Sequence, residues 1–551
     1  MKIKLLLPIL LIISIVGLSA CGSTNKSGSA SDGKSKSKVV NLMENAEIPT
    51  MDSKKGTDGV SFTAQNEVFE GLYYLDDNDQ PKPGVAASAP EISKDKKVYT
   101  IKLRDNAKWS DGSAVTADDF VYAWRKVADP KTAAEYSVLF DGILLNGTDI
   151  INGKKKPEEL GVEAVDKNTL KVTLEKPTPY FYSLLTFPTF YPQKEKYLEK
   201  QGEKYATSSK NMLYNGPFVM KDWTNTSKSW SYEKNPNYWD KKNIKVDKIN
   251  LQVVKEPGAA VNLYNTGKLD RANLSGDYAK QKHSDKDYKT ALEAFVYYLK
   301  FNQKLDGKTT DFQNENLRKA IALSVDKKEI VSTVLGNGST PINGFVPAKF
   351  TFNPKTKEDF RKESGDHLVY NKKEAQSYFE KAKKELGKST FQIELLGDDQ
   401  EFSKKMTEYL QNQIESTLKG IKIKIKIVPY KSRLQLDQDQ KYQLELTRWG
   451  PDYQDPMTFL ANQITDNNYN RASYSNKEYD KLLKEASTTL ATKPEERWNA
   501  MLKAEKVLLD DAGIAPIYQS GTAALQKPTL KGYTTHLFGP PTSYRSIEWS
   551  K

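Results

Sequence analysis

Residues 391–427 carry the pattern that most narrows the possible folds. Phe391-Gln392-Ile393-Glu394-Leu395 alternates apolar and polar residues with the period of a strand. Phe402, Met406, Leu410, Ile414 and Leu418 then recur at helical spacing, and Gly420 ends that helix. Ile421-Lys422-Ile423-Lys424-Ile425-Lys426-Ile427 is a second alternating strand. Strand, helix and strand in direct succession make a βαβ unit, whose strands lie parallel in one sheet. The class is therefore mixed α/β. Tyr99–Leu103 reads as a further strand. Thr116 opens a helix as its N-cap, with Asp118 and Asp119 in the first turn and Phe120, Val121, Trp124, Val127 and Ala128 on one face. Asp129-Pro130 stops it. Helical patterns also cover 371–386, 476–487 and 494–511, and no internal repeat is visible.

The N-terminus reads as an address. Lys2 and Lys4 precede the apolar run Leu5–Val16, and Leu18-Ser19-Ala20-Cys21 follows. A short basic region, a short apolar region and small residues form a secretory signal, too short for a comfortable span. No later segment is apolar enough to cross a bilayer. Leu18–Cys21 resembles the bacterial lipobox, in which the cysteine is lipidated and becomes the new N-terminus. That resemblance implies lipidation of Cys21 and anchoring at the extracytoplasmic membrane face, on a Gram-positive cell surface. Residues 22–38 are rich in Ser, Gly and Lys and nearly devoid of apolar side chains, the composition of a flexible tether.

Composition excludes several chemistries. Cys21 is the single cysteine of 551 residues, and His283, His367 and His536 lie far apart. No disulfide framework, cysteine zinc site, histidine-rich metal site or Cys–His nucleophile pair fits this inventory. The net charge of +12 comes from interspersed acids and bases without a basic arm, so nucleic acid is not the expected partner. Gly387-Lys388-Ser389 lacks the upstream glycine of a phosphate loop, because Ala382 stands there. Gly336 and Gly338 lack the third glycine of a dinucleotide motif, because position 341 is proline. No Gly-x-Ser-x-Gly elbow is present. No pair among the many carboxylates stands out, and neither an enzyme nor a cofactor is expected. The length suits about three to five domains.

Ordered blocks carry a family resemblance. They are Phe69-Glu70-Gly71-Leu72, Ala107–Gly112 with Val115–Phe120, Asn215-Gly216-Pro217-Phe218, Asn235–Trp239, Tyr297–Asn302, Leu317–Ala320 and Trp449–Pro456. In that order they resemble the extracellular solute-binding proteins of peptide-importing ABC transporters, in the oligopeptide-binding lineage. Most of these residues read as structural: Asp111-Gly112 and Asn235-Pro236 as turns, Trp109 and Trp124 as core. The resemblance implies a two-lobed periplasmic-binding-protein-like α/β fold of type II with an extra inserted domain. Residues 39–69, 199–291 and 518–551 would form the first lobe, 70–198 the inserted domain and 292–517 the second lobe. It also implies a monomer that hands oligopeptides to membrane-embedded permease subunits. A dedicated receptor for a signalling peptide, such as a pheromone, shares the scaffold, as do non-peptide solute binders.

A receptor for unrelated peptides can use only the backbone, the α-ammonium and the carboxylate. Strand addition captures the backbone without regard to sequence. A carboxylate in a desolvated spot suits the ammonium. By the family match, Asp452 of the Trp-x-x-Asp-Tyr block contacts the ligand N-terminus. Arg448, Trp449 and Gly450 would offer backbone groups, and Thr57–Phe62 would pair on the opposite lobe, chiefly through Gly59 and Ser61. Tyr430 and Asn262 match pocket-lining positions. Several enteric relatives hold the peptide carboxylate with an arginine in the strand before the tryptophan, where this chain has Leu446.

Overall fold

The computed structural model describes residues 38–550. Cys21, the lipobox and all but the last residue of the tether lie outside the described residues. Among the described residues, no helix is long and apolar enough to cross a membrane.

The local patterns become elements within three residues of their expected bounds. Phe391–Asp398 and Ile421–Val428 run parallel, in register from Phe391 opposite Ile421 to Asp398 opposite Val428. The helix Glu401–Thr417 joins them and buries Met406, Leu410 and Ile414 completely. The helix Ala117–Ala128 begins at Thr116, where the Asp119 carboxylate accepts the Thr116 N–H at 2.9 Å. The same carboxylate takes the Trp109 indole N–H at 3.0 Å, and the Trp124 indole donates to the Phe190 carbonyl at 2.9 Å. Both indoles are core, and Asp119 ties the first of them to the helix start.

Three larger sheets organise the chain. In the first, Val39–Glu44 runs parallel to Lys248–Val253, which continues antiparallel to Ser229–Lys234 and Phe218–Lys221. In the second, Glu91–Ile92, Val98–Lys102, Thr169–Thr173 and Val162–Asp166 lie in that order. The third is seven-stranded: Arg271–Leu274, Ile514–Gln526, Tyr288–Phe301, Leu444–Trp449, Phe391–Asp398 and Ile421–Val428 in order, with Thr340–Pro341 beside Ile514–Gln526. Val40, Leu42, Trp230 and Ile249 centre one core. Leu299, Leu395, Leu410 and Ile423 centre another. The core of the second sheet runs on through Tyr453 and Phe459 to Trp498.

Two strands are unusually long, Tyr288–Phe301 and Ile514–Gln526. At one end Ile514–Gln526 pairs with Arg271–Leu274, whose neighbour Asp270 donates its N–H to the Asn41 carbonyl at the edge of the first sheet, at 2.8 Å. At the other end Tyr288–Phe301 pairs with Leu444–Trp449, deep in the third sheet. The boundaries expected at 291–292 and 517–518 fall inside these two strands. Their register slips between Leu292, opposite Gly521, and Val296, opposite Gln519. Glu293, Ala294 and Phe295 thus form a bulge, which bends a strand and re-aims its side chains.

Candidate functional site

The bulge opens onto the cleft. Two connected chambers lie there, of about 1380 and 770 Å³ with their open mouths counted. Both are lined by Gly59, Phe295, Tyr430, Arg448 and Pro541, which form a waist between them. Six expected site residues meet at these chambers: Arg448, Tyr430 and Gly59 at the waist, and Trp449, Gly450 and Asp452 in the smaller chamber.

The strand Leu444–Trp449 explains how they meet. It pairs along Tyr288–Phe301 over its whole length, from Leu444 opposite Phe301 to Trp449 opposite Val296. On its other side Phe391–Asp398 pairs only with Leu444 and Glu445. From Leu446 to Trp449, one backbone edge therefore has no ladder partner among the described residues. Such an edge accepts an added strand. Gly450 follows, and a Cβ there would sit 2.2 Å from the Phe295 ring, so any larger residue must displace that ring or the strand end. The Leu446 side chain lies in the apolar core of the sheet.

The loop after Gly450 buries Asp452. Its N–H donates to the Thr458 hydroxyl at 2.9 Å, and its Oδ1 accepts the Tyr136 hydroxyl at 3.1 Å. Asp452 is 5% exposed, and burial pushes its pKa up to about 8 against that single phenol. No cation pairs with it among the described residues. A buried carboxylate so placed is costly as an ion, and an incoming ammonium reverses that cost.

Apart from Asp58 and Arg448, the other charges of the smaller chamber answer one another. Lys300 reaches Asp437 and lies 3.3 Å from Glu445. Arg433 pairs with Glu445 at 2.8 Å, and Arg471 pairs with Asp437 at 2.5 Å and with Glu135. Against the burial that would raise it, Lys300, Arg471 and Arg433 hold Asp437 well below the usual carboxylate range. The sequence reading missed this network. Its signal was present: Lys300 and Glu445 are charges inside otherwise apolar strand runs.

Three expectations need correction. Thr57–Phe62 does not stay extended, because the helix Gly59–Val68 begins inside it. The Asp58 carboxylate caps that helix, accepting the N–H groups of Val60 and Ser61 at 3.0 Å each, so those donors are already spent. Thr57, Asp58 and Gly59 alone remain extended or terminal at the chamber wall. Ser61 is completely buried, and its hydroxyl accepts the Thr50 N–H at 3.2 Å, away from the cleft. Asn262 is exposed on the helix Pro257–Asn265 and lines neither chamber. An exposed helical position and a cleft position look alike in a local pattern.

The chain matches the family model of bacterial extracellular solute-binding proteins, family 5, over residues 80–471. It is 34% identical over 540 residues to the dipeptide-binding protein DppE of Bacillus subtilis, covering 98% of this chain and 96% of that one. Among solved structures it is similar to Listeria monocytogenes OppA bound to peptide, with TM-score 0.90 and 52% identity over 94% of this chain and all of that one. The pheromone receptor PrgZ superimposes with TM-score 0.88 and 40% identity, again over 94% of this chain and all of the other. The fold is thus the expected type II binding-protein arrangement with its extra domain. A match spanning most of the length, a shared architecture and a cleft between sheets agree: this chain belongs to the bacterial extracellular solute-binding proteins of family 5.

Proposed function

We propose that this protein is an extracytoplasmic receptor that closes on an oligopeptide and passes it to an ABC importer. In this reading the peptide ammonium sits on Asp452 and its backbone adds to the free edge of Leu446–Trp449. Tyr430, Arg448 and Gly59 enclose it at the waist. The observation that carries the reading is the buried, cation-free carboxylate of Asp452 beside an unpaired strand edge. The relatives' names, dipeptide-binding protein and OppA bound to peptide, support the same substrate class. The likeness to a pheromone receptor supports a narrower version, a receptor for one signalling peptide. Mass spectrometry of ligand co-purified under native conditions separates a mixed peptide population from a single species. The division into lobes at 39–69, 199–291 and 518–551, against 292–517, with 70–198 inserted, belongs to this proposal.

Asp452 gives the central test. Asp452→Asn keeps the shape and removes the charge, and N-acetylation of the peptide removes the partner. Each change should cost about 2–5 kcal/mol, the usual loss on truncating a buried charged hydrogen bond. Both together should cost little more than either, since they delete the same interaction. Calorimetry on the four combinations measures the coupling, and additive losses would return Asp452 to a turn-capping role. The anchor is proposed to be lipid on Cys21. Cys21→Ser should shift the protein from the membrane to the soluble fraction. Retention of that variant on membranes would reject the anchor.

A further inference from the structure

The larger chamber contains a buried cation without an acceptor. Arg271 opens the strand Arg271–Leu274, opposite Gln526 at the far end of the long strand. It is 8% exposed, and its guanidinium lies over the Tyr533 ring at 4.3 Å. Its Nε and Nη1 are buried with no hydrogen-bond partner among the described residues, and no ion pair engages it there. The side chain lines the chamber.

The other charged groups of that chamber each have at least one polar side-chain partner. Lys255 pairs with Asp399 at 2.8 Å and with Glu47 at 3.2 Å. Glu44 accepts the Tyr544 hydroxyl at 3.0 Å, and Glu293 accepts the Ser520 hydroxyl at 2.9 Å. Arg448 donates to the Tyr297 hydroxyl at 3.1 Å and lies over Phe295. Arg271 has no hydrogen-bond or ion-pair partner among the described residues, whereas Arg448 keeps one, the neutral Tyr297 hydroxyl. The planar fork of donors on Arg271 matches a carboxylate in two parallel hydrogen bonds. Desolvating it without an acceptor is costly, which favours any ligand that brings one.

The two ends of the cleft are therefore chemically opposite. Asp452 in the smaller chamber suits an ammonium, and Arg271 in the larger one suits a carboxylate. We propose that Arg271 is the receptor for a carboxylate of the bound peptide, either its C-terminal group or an acidic side chain near that end. This deepens the peptide reading above and rests on it. It also answers the absence of an arginine at Leu446: the anion site has moved to the other side of the waist. The two groups sit at different places along the sheet: Arg271 is in register with Gln526, whereas Arg448, four residues before Asp452, is in register with Tyr297 and through it with Tyr518.

The test uses the whole protein and a pool of peptides of two to eight residues lacking Asp and Glu. Each is supplied as the free acid and as the C-terminal amide. Competition read by native mass spectrometry, then calorimetry on the species retained, gives the acid-to-amide preference. Wild type should prefer free acids by about tenfold or more. Arg271→Gln should abolish the preference, and Arg271→Lys should keep part of it. A second set of amides carrying one Glu near the C-terminus identifies the source. If these regain the preference in wild type but not in Arg271→Gln, the side-chain carboxylate is the ligand. An undiminished acid preference in Arg271→Gln overturns the proposal and leaves peptide binding intact. So does equal binding of acids, amides and Glu-bearing amides by wild type, which makes Arg271 a stacking partner of Tyr533. Wild type that binds no peptide at all would instead sink the peptide reading, and this inference with it. Thermal melts of the free variants detect misfolding, and the wild-type preference stands as a test even if Arg271→Gln fails to fold.

Discussion

A carboxyl group held out of water with one phenol as partner resists ionisation, and Asp452 is such a group. Its pKa in the folded protein is pushed up to about 8 from 3.8 by burial. The folded state therefore binds a proton that the unfolded state releases. Stability of the free protein should fall as pH rises from about 3.8 toward about 8 through this group. An ammonium ligand reverses the sign, because it favours the ionised form and expels the proton. Affinity for peptides with a free N-terminus should rise between about pH 5 and pH 7, by up to about tenfold per unit. Above about pH 8 the ligand's own α-amino group loses its charge. Calorimetry in buffers of different ionisation enthalpy counts the released proton. The slope should vanish in Asp452→Asn, and a pH-independent wild-type affinity would argue against an ionised Asp452 in the complex. The residue was readable from its Trp-x-x-Asp-Tyr block. Its isolation from cations was not, because that depends on Tyr136, more than 300 positions away.

At the scale of elements, the site depends on where a strand stops pairing. Tyr442–Leu446 alternates plainly enough to be read as a strand. That only two of its residues pair with Phe391–Asp398 is a property of the sheet. Gly450 is the tightest point of this arrangement. Gly450→Ala places a methyl group 2.2 Å from the Phe295 ring, so the ring or the strand end must move. Overpacking of this kind typically costs about 1–3 kcal/mol. The variant should show a lowered melting temperature together with weaker peptide binding. Phe295→Leu in the same chain should restore part of both, and a fully stable, fully active Gly450→Ala would show that the bulge yields freely. The helix Gly59–Val68 teaches the complementary lesson. By the family match Thr57–Phe62 would pair with the peptide, but the Asp58 cap converts Gly59 onward into helix and takes Ser61 out of reach.

At the scale of the whole molecule, contacts between residues far apart in sequence gather around the cleft. Tyr180 stacks on Tyr453 with ring centroids 4.1 Å apart and planes 9° apart. Glu135 pairs with Arg471, and Tyr136 donates to Asp452. The Gly539 N–H reaches the Pro451 carbonyl at 2.8 Å. Two long strands with a bulge in one of them are the continuous connection past these contacts, and a bulge concentrates bending at one place. Hinge closure on ligand follows from that geometry. Small-angle scattering should give a smaller radius of gyration with peptide than without it. Glu135→Gln combined with Tyr136→Phe removes two clasps and should widen the difference by opening the free state. An unchanged radius, with binding confirmed separately, would reject closure.

The amino-acid sequence by itself determined the elements and the family. The βαβ unit at 391–428, the capped helix at 117–128 and the indoles Trp109 and Trp124 in the core follow from short-range periodicity and capping, which act over a few residues. The tertiary structure alone decided which charges are compensated. Lys300, Arg433 and Arg471 are matched by Asp437, Glu445 and Glu135, whereas Asp452, Arg271 and Arg448 line the chambers without an ion-pair partner among the described residues. Compensation depends on distances of a few ångströms between residues hundreds of positions apart. Those distances are set when sheets pack, because electrostatic cost in a desolvated cleft is a property of the surroundings and not of the side chain.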